Sequence, residues 1–598
     1  MLSRLGANRL GAHQVGRREA LISAGVVFLV ALVVRAWAAT QITFPRPEDV
    51  AYYVGVSRNL LEGRGFVSDA IWSFQTPPLS FPRPAFEVWL PLPSILAAVP
   101  MALFGHTFAA AQVSSIVVGS LVCALAWRLA ADVAAARSMP IGRARTLALG
   151  AGLTSAVYLP LVLASVQPDS TMPFALLVLL GCLLITRYGR RISLEGVRAG
   201  DLEAFVRRAE RLVVRRSRVG LAIAVVLGLA AMTRNEAIWL AAAFAIIEWS
   251  NARSAFPRWS DRLGAWVIRV VPVGFFAFLV FSPWALRDWV VFGSPFPGQA
   301  LVNALSLQGT DIFAWQDRPT LERYLAAGPV RLLELRWIGA VHNLTQVLLF
   351  LGVPLSIVGL IGLPAVMRWR SKSTAAGVPV DDPLRPLVLF SIITFLVASL
   401  VFPVSTTWGT FLHAAGAIHV LLVISALLAL DWLIGWVGRR RGWTNPVAWL
   451  GPAFAIAGCL LFTLVLLRSD GEAARAQARR YEALGIAFSG VDATGRGVDL
   501  ASEPGPVITD FPIWFAETTR HPTLALPNES ISSVLDLARS FNPPAELVVF
   551  DPSGDGRFPS ELAAAAPGSE CFVPVELPDP ASHPGALEDF VVFRIRCP

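Results

Sequence analysis

The chain has 598 residues, 55% of them hydrophobic and 15% charged, with a mean hydropathy of +0.59. Soluble domains carry about 25% charged residues, so this balance excludes a soluble globular, a disordered or a collagen-like chain and points to an α-helical polytopic membrane protein. The net charge of +8 and pI near 9.7 are expected to mark cytoplasmic loops, with no nucleic-acid partner.

In chain order, Arg4, Arg9, Arg17 and Arg18 precede a long apolar run without a small-residue cleavage site. Residues 1–19 are therefore expected as a cytoplasmic N-terminus before a retained first span, not as part of a cleaved signal peptide. Crossing about 30 Å of hydrocarbon takes about 20 apolar residues. Stretches of that kind lie near 20–39, 108–132, 147–166, 171–187, 219–249, 266–286, 345–367, 386–403, 414–437 and 446–467. Thr233-Arg234-Asn235-Glu236 interrupts 219–249, which then counts as two short or broken helices with a polar tip, giving about eleven spans.

A further apolar stretch, 88–104, holds Pro91, Pro93 and Pro100. If it does not cross, four clusters fall inside: Arg137, Arg143 and Arg145; Arg187 through Arg218; Arg368, Arg370 and Lys372; and Arg439, Arg440 and Arg441. If it crosses, all of them move outside, against the positive-inside rule. It is therefore expected as a re-entrant or interfacial helix. Segments 40–107, 167–170, 287–344 and 404–413, and everything after about 468, then lie on the outer face, and the polar chemistry collects there.

The first outer segment carries Pro47-Glu48-Asp49, then Tyr53 and Ser57 one and two helical turns on. Acids at a helix start are ordinary caps. A carboxylate just beyond a span also faces the polar head of a lipid-borne substrate. Asp169, in Gln167-Pro168-Asp169-Ser170-Thr171, either caps the next helix or joins that site. Arg234 is either a snorkelling interfacial residue or a phosphate ligand. Arg46, Arg64 and Arg83 lie among interfacial tryptophans and prolines and rank as structural first, donor-binding second.

After about 468 the composition turns polar. Strands are expected near 505–510, 523–527 and 547–551, with helices starting at 511 and spanning 530–540. This alternation indicates a small α/β domain with a parallel sheet, over 468–598, that binds acceptor or partner or acts as a lid. No G-x-G-x-x-G follows a strand, so a nucleotide fold is unsupported. Asp510 ends a strand, where turn caps are common. Cys123, Cys182 and Cys459 lie in apolar runs as free thiols. Cys571 and Cys597 either form a disulfide, if the tail faces an oxidising compartment, or stay as thiols.

The order of these features resembles the GT-C fold membrane glycosyltransferases. The matching features are Asp49-x-x-x-Tyr53, Arg58-Asn59-Leu60-Leu61-x-Gly63-x-Gly65, a Pro-rich juxtamembrane stretch, Asp169, Thr233-Arg234-Asn235-Glu236, and Pro283-Trp284-x-x-Arg287-Asp288-x-x-x-Phe292-Gly293-Ser294-Pro295. Within that fold the chain is similar to the protein O-mannosyltransferase and aminoarabinose transferase group, the dolichyl-phosphate-mannose-protein mannosyltransferase-like enzymes. The likeness covers roughly residues 18–470.

The resemblance implies a plasma-membrane enzyme that moves a sugar from a polyprenyl-phosphate donor to a protein, lipid or glycan acceptor, with inversion. It maps the catalytic acid onto Asp49, with Glu48 as second choice. A carboxylate can take the acceptor's proton as it attacks. The departing phosphate needs positive charge or N–H donors, for which Arg234, Arg287 and, third, His413 are candidates. Tyr53, Arg58 and Glu236 complete the expected substrate-binding set, and Asp169 positions the acceptor or a metal. A divalent ion on Asp49 and Asp169 is left open. The alternative class is a transporter or lipid flippase. That class favours matching broken helices in two halves and mid-membrane charges, whereas here one broken pair is seen and the acids lie at helix ends.

Overall fold

A computed structural model describes residues 17–189, 202–367, 382–443, 447–492, 495–552, 556–578 and 580–597. Of the residues used above for topology, Arg4, Arg9, Arg190, Arg191, Arg368, Arg370 and Lys372 lie outside the described residues, as do the side chains of Arg17, Arg207, Arg208, Arg211 and Arg215.

The chain is a multi-pass helical membrane protein. Among the described residues, six helices are long and apolar enough to cross a membrane: Arg18–Ala39, Phe108–Ala136, Thr171–Gly189, Trp259–Phe292, Gly416–Arg440 and Leu450–Ala487. Two bent pairs, Ile141–Val157 with Leu159–Val166 and Gly328–Phe350 with Leu355–Met367, raise this to at most eight. The eleven expected from sequence also include the helices Leu202–Ala231 and Ala237–Ala255, joined by a tight turn, and the 16-residue helix Arg385–Leu400. Residues 88–104 form the 13-residue helix Leu92–Phe104. Too short to span, it packs between Glu48–Leu61 and Phe108–Ala136.

The bend of 53° after Val157 has a local cause. Pro160 lacks the N–H that would bond the carbonyl of Ala156, and its ring disfavours a continuous helix. Arg35, fully buried, donates from Nη1 to that carbonyl at 3.1 Å and from Nε to Ser165 Oγ at 2.8 Å. Thr463 Oγ1 donates to the Val157 carbonyl at 2.7 Å. The break in the apolar interior therefore leaves no unsatisfied carbonyl at these two residues.

Small residues let helices Leu355–Met367 and Gly416–Arg440 approach closely. A Cβ on Gly359 would stand 2.6 Å from the Leu422 carbonyl oxygen, and one on Gly362 2.8 Å from that of Ser425. Ser425 Oγ donates to the Gly359 carbonyl at 2.8 Å. Backbones this close leave no room for a side chain. Gly359→Leu is expected to destabilise the protein by about 1–3 kcal/mol, read as a lower Tm in detergent than a Leu substitution at exposed Gly264 gives.

The strands expected in the tail form at Val507–Thr509, Thr523–Ala525 and Leu547–Phe550. The helices Pro512–Thr519 and Ile531–Arg539 follow the first two. The sheet is larger than expected and mixed. Its order is Ala70–Ile71, Thr523–Ala525, Val507–Thr509, Leu547–Phe550, Val591–Ile595, Phe572–Val575, with the first four strands parallel and the last two pairings antiparallel. A two-residue strand from the first loop thus completes the edge beside Thr523–Ala525. The antiparallel register sets Ile595 opposite Phe572. That brings Cys571 and Cys597, which flank these residues, together as a disulfide. Denatured, unreduced protein is expected to expose three maleimide-reactive thiols, Cys123, Cys182 and Cys459, and five after reduction. Five before reduction would contradict the disulfide.

Candidate active site

Helix Glu48–Leu61 begins at Pro47, whose ring presets φ, and places two acids in its first turn beside unpaired N–H groups. It closes with Gly63 at φ 79°, a conformation glycine adopts without strain. The two acids point to different parts of the protein. Glu48 Oε1 accepts the N–H groups of Ile513 and Trp514 at 3.1 and 3.2 Å, capping the helix Pro512–Thr519. Burial pushes its carboxyl up to about 8, against the pull of those two donors.

Asp49 turns toward the helix bundle. Its Oδ2 lies 3.0 Å from His413 Nε2, and its buried Oδ1 has no hydrogen-bond partner. The other ring nitrogen of His413, Nδ1, lies 3.0 Å from Asp169 Oδ2. Asp169 also caps the next helix, its Oδ1 accepting the Thr171 N–H at 2.8 Å, and Thr171 Oγ1 donates to Oδ2 at 2.9 Å. Asp169 therefore caps that helix and also meets His413, the neighbour of Asp49. With a carboxylate at each nitrogen, the imidazole carries both protons. Burial opposes the ring's charge, but Asp49 and Asp169 outweigh it and push His413 up to about 10. Burial likewise opposes the charge on Asp49, and His413, with Arg234, holds its carboxyl below the usual range. Gly409, at φ 109°, starts the five-residue helix Thr410–Ala414 and accepts the His413 N–H at 3.0 Å. This places the ring between the two acids.

Arg234 stands in the turn between Leu202–Ala231 and Ala237–Ala255. It pairs with Glu236 through Nη2 at 2.7 Å and Nε at 3.1 Å, and reaches Ser170 Oγ at 2.8 Å and the Thr410 carbonyl at 3.1 Å. Tyr53 is buried; burial raises its hydroxyl, while Arg234 and a hydrogen bond to Ser170 oppose the shift. The structure thus brings Asp49, Tyr53, Asp169, Arg234, Glu236 and His413 together.

Three expected site residues lie elsewhere. Glu48 is taken by the tail helix, as above. Arg58, with both guanidinium nitrogens on Glu517, ties the first-loop helix to Pro512–Thr519. Arg287 pairs with Asp288 at 2.9 Å and lies over the rings of Trp284 and Phe292 at 4.8 and 5.2 Å.

Arg83 ranked as structural on sequence, and its surroundings are unusual. It is fully buried, 3.6 Å from Glu87, with Nη2 donating to the Thr76 carbonyl at 2.6 Å. Its Nε and Nη1, and both oxygens of Glu87, have no hydrogen-bond partner. Tyr52 adjoins this pair, accepting the Phe86 N–H at 2.7 Å, and Arg83 shares the Phe292 ring with Arg287. Arg83 lies in a two-residue strand and Glu87 in the loop after it, so no helical spacing signalled their approach. Among the described residues no three His, Cys, Asp or Glu side chains converge as a metal site. Asp49 and Asp169 lie against opposite nitrogens of one ring, so this arrangement does not fit the divalent ion left open above.

The helical membrane bundle is covered by an α/β unit to which the first loop lends a strand. Among the solved structures that share its fold are two GT-C membrane glycosyltransferases. One is ArnT from Cupriavidus metallidurans bound to undecaprenyl phosphate, with TM-score 0.50 and 13% identity over 95% of this chain and 97% of that one. The other is the Archaeoglobus fulgidus oligosaccharyltransferase tethered with an acceptor peptide, with TM-score 0.50 and 14% identity over 88% of this chain and 69% of that one. No family model and no curated protein matches the chain. The likeness is therefore one of fold.

The raised His413 gives a pH-dependent stability with a definite sign. The charged ring's contribution is complete below about 6.5, the ordinary histidine value, and is lost as pH rises through about 10. Between pH 7 and pH 10.5 (about half a unit above that value), wild type is expected to lose more Tm than His413→Gln; equal losses would contradict a charged ring.

Proposed function

We propose that this protein is an inverting glycosyltransferase. It moves a sugar from a polyprenyl-phosphate donor to an acceptor at the outer face of the plasma membrane, with Asp49 as general base. The observation that carries the reading is the state of Asp49: one oxygen is held by His413, and the other is buried and unpartnered. An acceptor hydroxyl or amine attacks the anomeric carbon, the carbon–oxygen bond to phosphate breaks, and Asp49 Oδ1 takes the acceptor's proton. A single displacement inverts the centre. His413, already carrying both protons, is not the base; it positions Asp49, as Asp169 positions His413.

The departing phosphate takes the electron pair of the broken bond and needs N–H donors. Arg234 is engaged by Glu236 and Arg287 by Asp288, so Arg83, with two unpaired N–H positions, is the better-placed donor. The two ArnT and oligosaccharyltransferase neighbours, crystallised with undecaprenyl phosphate and an acceptor peptide respectively, support a polyprenyl-linked donor. The disulfide supports an oxidising, extracytoplasmic setting for residues 468–598, and residues 20–467 form the catalytic unit, with 1–19 cytoplasmic. The acids collect at one end of the bundle, which favours the transferase over a transporter.

Transfer of radiolabelled sugar from polyprenyl-phosphate donors, in membranes with equal amounts of folded protein, tests this. Asp49→Asn is expected to lower the rate by about 10²–10⁴. Glu48→Gln, which keeps an oxygen to accept the Ile513 and Trp514 N–H groups, is expected to stay within about threefold of wild type, since its acceptor role survives. Wild-type rates in Asp49→Asn would sink the mechanism.

A further inference from the structure

Trp514, whose amide binds Glu48, turns its ring to a cleft of about 230 Å³ between the end of helix Leu450–Ala487 and the tail. Its walls include Tyr481, Phe511, Trp514 and Phe590, with Arg46 and Arg480 at the rim. The rings form a continuous series: Phe511 to Trp514 at 5.3 Å, Trp514 to Tyr481 at 5.6 Å and Tyr481 to Phe590 at 5.9 Å between centroids. A second cleft of about 340 Å³ shares Arg480 and adds Arg479 and Asp589.

The charges are unbalanced. Arg480 lies over Phe590 at 5.0 Å, between Asp551 at 3.5 Å and Asp589 at 3.2 Å, so both carboxylates of the clefts are already engaged. Among the described residues neither Arg46 nor Arg479 makes an ion pair. Phe511, Trp514 and Phe590, each partly exposed beside the buried Tyr481, give an apolar ligand face something to stack on, and a few polar groups at the rim fix its orientation. A sugar ring has that form, with C–H groups on its faces and hydroxyls around its edge. Two guanidinium groups, Arg479 without an ion pair among the described residues and Arg46 with only the more distant Asp470, add recognition of a carboxylate or phosphate. The space takes the end of a short oligosaccharide, not a folded partner.

We propose that these joined clefts bind an anionic saccharide, the part of the acceptor remote from the atom that reacts. Its assignment to the acceptor rests on the transferase reading above; the binding itself does not.

The test uses the purified full chain in nanodiscs, titrated with tetragalacturonate, neutral maltotetraose and inorganic phosphate, and followed by calorimetry and tryptophan fluorescence. The variants are Arg46→Ala/Arg479→Ala and, separately, Phe590→Ala, each used at a Tm equal to wild type. Arg479→Ala alone, at an exposed position, serves if the others lose stability. Tetragalacturonate is expected to bind wild type at least tenfold more tightly than maltotetraose or phosphate, and to lose at least tenfold in the double arginine variant. No saccharide binding, phosphate or maltotetraose binding as tightly as tetragalacturonate, or variants that bind like wild type, would overturn the proposal. The two readings fail separately. Saccharide binding without sugar transfer removes the transferase reading and keeps the site, whereas transfer without saccharide binding does the reverse.

Discussion

Burying an ionised carboxylate in a helical bundle costs several kcal/mol unless a counter-charge meets it. His413 meets two, with Nε2 3.0 Å from Asp49 and Nδ1 3.0 Å from Asp169. The acids lie on segments far apart in the chain, one in the first loop and one at the start of helix Thr171–Gly189. The ring therefore joins the first-loop helix to the bundle, beside the hydrogen bond of Tyr53 to Ser170. Arg234 and Glu236 neutralise each other alongside, and Arg234 holds Ser170 and the Thr410 carbonyl, which steadies both neighbours of that ring. If the imidazolium is removed, two buried carboxylates face each other with no counter-charge between them, so the geometry of this end of the bundle depends on it.

The same logic separates two adjacent acids. Glu48 and Asp49 are both largely shielded from solvent at one helix start, but only Asp49 has a cation within reach. Burial dominates for Glu48 and pushes it up to about 8, so it serves as a hydrogen-bond acceptor for a tail helix, largely uncharged at neutral pH. For Asp49 the imidazolium reverses the sign and the carboxylate stays ionised. One helix turn therefore joins the tail through Glu48 and the bundle through Asp49. Arg58, bound to Glu517, repeats the first attachment three turns on, and the strand Ala70–Ile71 adds a third by completing the sheet.

Much of this was visible in the sequence one residue at a time. Asp49, Asp169, Arg234 and His413 each stood out as polar groups at the ends of apolar stretches, where a charge needs a reason. Their mutual contacts were not visible, because the pairing of His413 with Asp169 spans 244 residues and no local pattern encodes it. The tie of Arg58 to Glu517 was hidden for the same reason: the two lie 459 residues apart. The helices and three tail strands followed from apolar length and alternation. The strand Ala70–Ile71 did not, since two residues hold no period, and its existence depends on Thr523–Ala525 offering an edge. The antiparallel hairpin that makes the sheet mixed depends on pairing that alternation alone does not specify.

Where the polar groups remain unpaired is itself informative. Native interiors leave few buried donors and acceptors without partners, yet in the first loop Asp49 Oδ1, Arg83 Nε and Nη1, and both Glu87 oxygens are unpaired. Consecutive tyrosines adjoin these groups separately. Tyr53 faces Ser170 and Arg234 on the side of Asp49, and Tyr52 faces Phe86 on the side of Arg83 and Glu87. On the transferase reading, Asp49 Oδ1 is the proton acceptor, and the unpaired N–H groups of Arg83, which lies 3.6 Å from Glu87 without a hydrogen bond to it, bind the leaving phosphate. A half-satisfied buried network is costlier than an apolar core, so on this reading the unpaired atoms are those that a substrate with its own hydrogen-bonding groups completes.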